Sequence, residues 1–280
     1  MPAALTLLIR AWVPESPHWL IGKGRLDEAR RSLAWALQVD PAEIALPPAA
    51  PAVTTVPWRE LFKYPRSLAV CCLTGLTQTG SVGLTLWLTT LLVLVLKISP
   101  AEASFLVIWY GVAGIAGRFF CAWLSDAAGR RRSVVWMCLL AALATSLGGY
   151  LSDVHIGALS VFYIMVLASS FFGSGNYAIV GPYMTEVWPS KLRTSGMGVG
   201  YGVGNLGKFI GPAGLALIAG SSNYVSPQAT LDALIPGMNY FAFWYVLGAV
   251  AMSFIGFETR GRTIDEIDRA LRAGVKARAA

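Results

Sequence analysis

Charge is scarce in this chain. Asp, Glu, Lys and Arg make up 13% of its 280 residues, about half the share usual in soluble domains. The deficit argues against a soluble surface. Histidine is scarcer: only His18 and His155 are present. They are far apart in sequence and expected on opposite sides of a membrane, so a histidine-based enzyme site is not expected. The four cysteines, Cys71, Cys72, Cys121 and Cys138, all fall in apolar runs without metal-ligand spacing. They read as small packing residues, and neither a metal nor another cofactor is expected. No carboxylate lies deep in any apolar run. Glu102, Asp153 and Asp232 stand near one set of ends, and Asp126, Glu186 and Glu258 near the other.

What remains is apolar. The chain is 55% hydrophobic and holds 10 Trp and 29 Gly, the profile of a multi-pass helical membrane protein. Six runs reach the roughly 20 residues needed to span a bilayer, at about 67–96, 102–124, 133–151, 157–184, 195–219 and 237–257. Residues 1–13 are apolar but too short to span, and are expected to be the end of a truncated helix. Pro14 and Pro17 stop it, because proline interrupts the hydrogen-bond ladder. Residues 14–66 form the expected connecting segment. It holds an amphipathic stretch at Leu26–Leu33, a proline-rich linker, and a short interfacial helix at Trp58–Tyr64. Residues 67–257 form the six-helix membrane domain, and 258–280 the tail.

The connections alternate in charge. Lys63 and Arg66, then Arg130, Arg131 and Arg132, then Lys191 and Arg193, then Arg260 and Arg262 lie on one side. The opposite connections hold only Lys97, with Asp153 and Asp232 nearby. The asymmetry predicts cytoplasmic Arg-rich loops and cytoplasmic terminal segments. The net charge of +7 therefore reflects topology and lipid headgroups, and nucleic acid is not an expected partner. Leu26-Asp-Glu-Ala-Arg-Arg-Ser-Leu33 resembles Ile264-Asp-Glu-Ile-Asp-Arg-Ala-Leu271 across six spans. A parallel repeat of six helices is a known transporter plan.

Four motifs together resemble the C-terminal half of the major facilitator superfamily, near its sugar-porter and organic-acid:proton symporter branches. They are Pro14-Glu-Ser-Pro17 with Gly24-Arg25; Gly117-Arg118 through Asp126 to Gly129-Arg130-Arg131; Glu186-Val-Trp-Pro189-Ser-Lys-Leu-Arg193; and Glu258-Thr-Arg-Gly-Arg262-Thr263. The resemblance implies an all-α integral membrane fold: a six-helix C-terminal bundle preceded by the end of helix 6. It implies secondary transport of an organic or aromatic acid or a sugar-like metabolite by alternating access, with proton symport, in a bacterial inner membrane. The implied partners are the small-molecule solute, protons, the bilayer and the missing N-terminal half, which would also supply the coupling acid. The competing expectation is a transport-inactive truncated fragment. His18 departs from the Arg usual in the first motif. Thr77-Gln78-Thr79-Gly80 and Gly181-Pro182-Tyr183 depart from hexose-carrier patterns, which raises the standing of an acid substrate.

Two sets of side chains carry the expected mechanism. Glu15, Arg118, Asp126, Arg130, Arg131, Glu186, Arg193, Glu258 and Arg262 are the candidate gating network, with Asp126 expected just past its helix and within reach of Arg130. Arg–carboxylate pairs are directional and bidentate, so pairs that form in one state and part in the other would bias the switch. Gln78, Asn176, Tyr177, Asn205 and Lys208 are the candidate substrate path. Lys208 stands fifteen residues past Arg193, near mid-span. A cation there costs about 2.5–3.5 kcal/mol and needs a cavity or an anion. Gly202-Val-Gly204-Asn-Leu-Gly207-Lys208 matches a nucleotide-loop spacing, but no strand precedes it and Phe209 replaces the required hydroxyl residue. Its glycines are expected to serve close helix packing.

Overall fold

The computed structural model describes residues 12–46, 57–220, 231–262 and 266–271. The chain divides into two compact units, Met1–Pro57 and Trp58–Ala280. In the first, α1 (Pro17–Gly22) and α2 (Leu26–Leu37) pack on each other. Ser32 donates 2.6 Å to the Glu15 carbonyl, tying the Pro14–Pro17 turn to α2. Arg25 pairs with Glu28 at 2.6 Å, and that guanidinium holds the Glu28 carboxyl below its ordinary value. Residues 1–11, the expected helix end, and 47–56, most of the proline linker, lie outside the described residues.

The second unit is a bundle of six membrane-length spans. A 3-10 turn at Trp58–Lys63 leads into α3 (Pro65–Gly75) and α4 (Gln78–Leu96), which together make the first span. The second is α5 (Pro100–Ala128) and the third α6 (Arg130–Tyr150). A two-residue hairpin, β1 (His155–Ile156) with β2 (Leu159–Ser160), precedes the fourth span, α7 (Val161–Gly175) and α8 (Tyr177–Glu186). The fifth is α9 (Arg193–Ala219) and the sixth α10 (Leu234–Phe254). All six expected spans are present. The fourth starts at Val161 rather than 157, because Gly157 takes a left-handed turn (φ +61°) that the hairpin requires.

Local chemistry explains the sharp ends. Ser99 and Glu102 form a reciprocal capping box with Pro100 at the first turn of α5, satisfying donors the helix start leaves open. One residue, Gly129 (φ +93°), separates α5 from α6. No L side chain adopts that φ easily, and a Cβ there would stand 2.6 Å from a Glu258 carboxylate oxygen.

The packing is layered along the membrane axis. Leu84, Leu88, Leu92, Phe162, Met238 and Phe241 form an apolar core toward one end. The middle is small and polar: Thr77, Thr79, Ser81, Thr145, Ser169 and Asn176 are all buried. Thr145 and Ser169 hydroxyls meet at 2.6 Å, and Thr85 meets Tyr110 at 3.1 Å. The Arg-rich loops gather at the other end. Helices approach closely through glycine: a Cβ at Gly75 would stand 2.6 Å from the Gly200 carbonyl, and one at Gly175 2.6 Å from that of Gly117.

Candidate functional site

At the Arg-rich end, α6 begins with three arginines and no acidic residue in its first turn. A helix start carries unpaired N–H groups and partial positive charge, so this sequence requires an anion from elsewhere. Glu258, four residues past α10, supplies it. Its carboxylate accepts from the Arg130 N–H (2.9 Å) and the Arg131 N–H (3.2 Å). It also accepts from the N–H groups of Thr259 and Arg260, both at 3.1 Å.

Arg130 then reaches sideways to Glu186 at 2.7 Å, with 29% and 23% of the two side chains exposed. The other Glu186 oxygen accepts from the Thr259 hydroxyl at 2.7 Å. Arg131 turns the opposite way and donates to the carbonyls of Met252 (3.1 Å) and Ser253. A cation there suits the negative end of α10. Arg66 does the same with the carbonyls of Ile255 (2.7 Å) and Gly256 (3.3 Å). Tyr183 donates to the Phe257 carbonyl and accepts its N–H, both at 3.0 Å. The segment after α10 is thus held by α3, α6 and α8 together.

The structure redistributes the expected network. Arg130, Glu186 and Glu258 meet, and Arg131 joins them through its backbone. Asp126 lies inside the last turn of α5, exposed, and lines a recess of about 180 Å³ with Arg130, Glu186 and Arg262. The ion pair of Arg130 is with Glu186, not with Asp126. Arg193 opens α9, and its buried Nε has no hydrogen-bond partner among the described residues. Arg118 sits ten residues before Ala128, about 15 Å up the helix. It is exposed and makes no ion pair to a described residue. Glu15 belongs to the first unit. The sequence reading missed Thr259, Arg66 and the capping role of Glu258; the unpaired start of an all-Arg helix turn was the signal for the last.

The candidate path residues fall at mid-bundle. Two spans are broken there, at Leu76–Thr77 and at Asn176. Asn176 is fully buried, and neither side-chain amide atom has a hydrogen-bond partner among the described residues. The buried Tyr177 hydroxyl lies beside Ser81 and Thr77 without a well-formed hydrogen bond to either. Gln78 starts α4, with Nε2 3.1 Å from where a Gly204 Cβ would stand. Asn205 and Lys208 are exposed on α9. The loop-like glycines are packing elements: Gly207 abuts Thr79, and Gly204 abuts the Gly75 carbonyl. Among the described residues no cluster of His, Cys, Asp or Glu could hold a metal.

Six spans of membrane length, a polar mid-bundle and a charged cluster joining the loops at one end define a domain of an integral membrane transporter. The family model described as "Sugar (and other) transporter" matches residues 1–271. The chain belongs to that family, within the major facilitator superfamily. It is 26% identical to the hexose transporter HXT8 of Saccharomyces cerevisiae, over 94% of this chain and 49% of that protein. It is 23% identical to the cis,cis-muconate transport protein of Acinetobacter baylyi, over 91% and 54%. It is 27% identical to the niacin transporter NiaP of the same organism, over 95% and 59%. The chain spans about half the length of these relatives. Its fold matches the proton:xylose symporter XylE bound to 6-bromo-6-deoxy-D-glucose, with TM-score 0.66 and 18% identity over 96% of this chain and 57% of that one.

Proposed function

We propose that this chain is the C-terminal half of a secondary carrier that moves a small organic acid by alternating access. Residues 14–66 would link the halves, and 67–257 would form the moving domain. The observation that carries the acid reading is Lys208, a mid-span cation exposed beside Tyr201 and Asn205 on α9. An intramembrane ammonium is costly without an anion or cavity, and a carboxylate substrate supplies the anion. Relatives named for muconate and niacin transport support an acid; HXT8 keeps a sugar-like solute as the second reading. Proton coupling accords with the XylE likeness in fold alone, and its acid would lie in the upstream half. The Arg-rich end is read as cytoplasmic, and the Arg130–Glu186–Thr259 and Glu258 contacts as the latch that holds one state of the cycle.

The test is uptake by proteoliposomes of the carrier containing this chain and an upstream six-span half. Lys208→Gln is expected to lower acid uptake at least tenfold at unchanged protein level. Unchanged acid uptake would remove Lys208 from the site.

A further inference from the structure

The second and fifth spans, α5 and α9, are the least covered. Only 22% of each apolar window is buried, against 44–56% for the other four. Each carries one cation away from its ends, Arg118 on α5 and Lys208 on α9.

Helical spacing shows which way these cations face. At about 100° per residue, Ser104, Gly111, Ile115, Arg118, Ala122 and Asp126 share one exposed side of α5. Its bulky side is different: Phe105, Trp109, Val112 and Trp123, also exposed, suit lipid. The Arg118 side mixes Ile108 and Ile115 with small and polar residues, and its Asp126 end opens on the recess beside Glu186 of α8. On α9, Tyr201, Asn205 and Lys208 share one exposed side, while Leu206, Phe209 and Leu217 occupy another. The Tyr201 hydroxyl stands 3.3 Å from where a Gly181 Cβ of α8 would be. Tyr201 of α9 and Asp126 of α5 thus lie beside α8, which packs against both helices.

The two cations also share a depth. The buried Tyr245 ring is the common marker: Gly80 and Gly173 both pack on it. Gly117, next to Arg118, lies against Phe171 and Gly175. Gly207, next to Lys208, lies against Thr79. Arg118 and Lys208 thus sit within a turn or so of one layer, on two helices that both pack against α8. That layer also contains the break at Asn176, whose buried amide has no hydrogen-bond partner among the described residues. Neither cation makes an ion pair to a described residue, and both are exposed.

We propose that Arg118 and Lys208 are two cationic contacts for one dianionic substrate, a small dicarboxylate. This rests on the reading of Lys208 as a substrate contact. One bound dianion neutralises both charges, and the Arg118 fork suits a carboxylate bidentately. Arg118 is then a specificity residue and not part of the latch.

The experiment is initial-rate uptake by proteoliposomes of the complete carrier, with succinate, cis,cis-muconate, niacin and glucose as probes. Thermal protection of the purified carrier by the same four compounds is the second readout. The expected result is saturable uptake of a dicarboxylate, with KM raised at least tenfold in Arg118→Gln and mostly restored in Arg118→Lys. Dicarboxylate protection should be lost in Arg118→Gln. Uptake confined to niacin or glucose overturns the dianion inference and leaves transport standing. So does a dicarboxylate KM within twofold of wild type in Arg118→Gln, or an equal loss for every transported solute, which would mark a contact to the upstream half. No uptake of any probe and no protection overturns both readings.

Discussion

Glu258→Gln is the substitution on which the charged cluster can be tested most cleanly. The wild-type carboxylate accepts from four backbone N–H groups, two of them at the start of α6. Glutamine keeps one acceptor oxygen but turns an NH2 group toward donors that previously met the other. It also removes the negative charge facing the helix start and its three arginines. Losing an anion at a helix start costs about 0.3–1 kcal/mol. A charged hydrogen bond left unmade costs about 1.5–3 kcal/mol. Together these give about 2–4 kcal/mol. At about 2–4 °C per kcal/mol for a domain of this size, apparent Tm should fall by roughly 4–16 °C. The assay is thermal unfolding of the purified carrier in detergent, at one scan rate, in low and high NaCl. Part of the loss should disappear at high salt, because screening weakens the repulsion left among the arginines. A Tm within about a degree of wild type at low salt would refute the capping account.

The Arg130–Glu186 pair lies between exposed and buried, so a double-mutant cycle with Arg130→Gln and Glu186→Gln should give a coupling of about 1–2 kcal/mol in unfolding free energy. A coupling indistinguishable from zero would reduce the pair to a topological feature. Gly207→Ala should destabilise by about 1–3 kcal/mol through overpacking, since its Cβ would press on the Thr79 backbone at 2.8 Å. Gly202→Ala, with nothing within 4 Å, should unfold at the wild-type temperature. Equal effects of the two would contradict the packing role assigned to these glycines.

The spans were legible because six apolar runs of membrane length, separated by charge, leave little alternative. Asp126 shows where short-range spacing misleads. It is near Arg130 in sequence, but α5 continues through Ala128, and Glu186 of α8 takes the arginine instead. Arg118 shows the same limit: a shared motif does not offset about 15 Å of helix rise. The breaks at Leu76–Thr77 and Asn176 were hidden because hydropathy continues across them and no proline marks them. Their cause is partly tertiary, in glycines that admit a neighbouring backbone at Gly75 and Gly175. Glu258 was expected among the charged residues, yet its partners are backbone N–H groups, which no charge pattern displays. Lys208 was legible as a mid-span cation; its exposure beside Asn205 required the packing of α9.

The most direct measurement is counterflow of a labelled organic acid in proteoliposomes of the complete carrier, comparing wild type with Lys208→Gln and Lys208→Arg. The account predicts at least a tenfold loss in Lys208→Gln and substantial activity in Lys208→Arg, with protein level and Tm unchanged. Acid counterflow in Lys208→Gln equal to wild type would contradict the claim that this domain carries the anion contact.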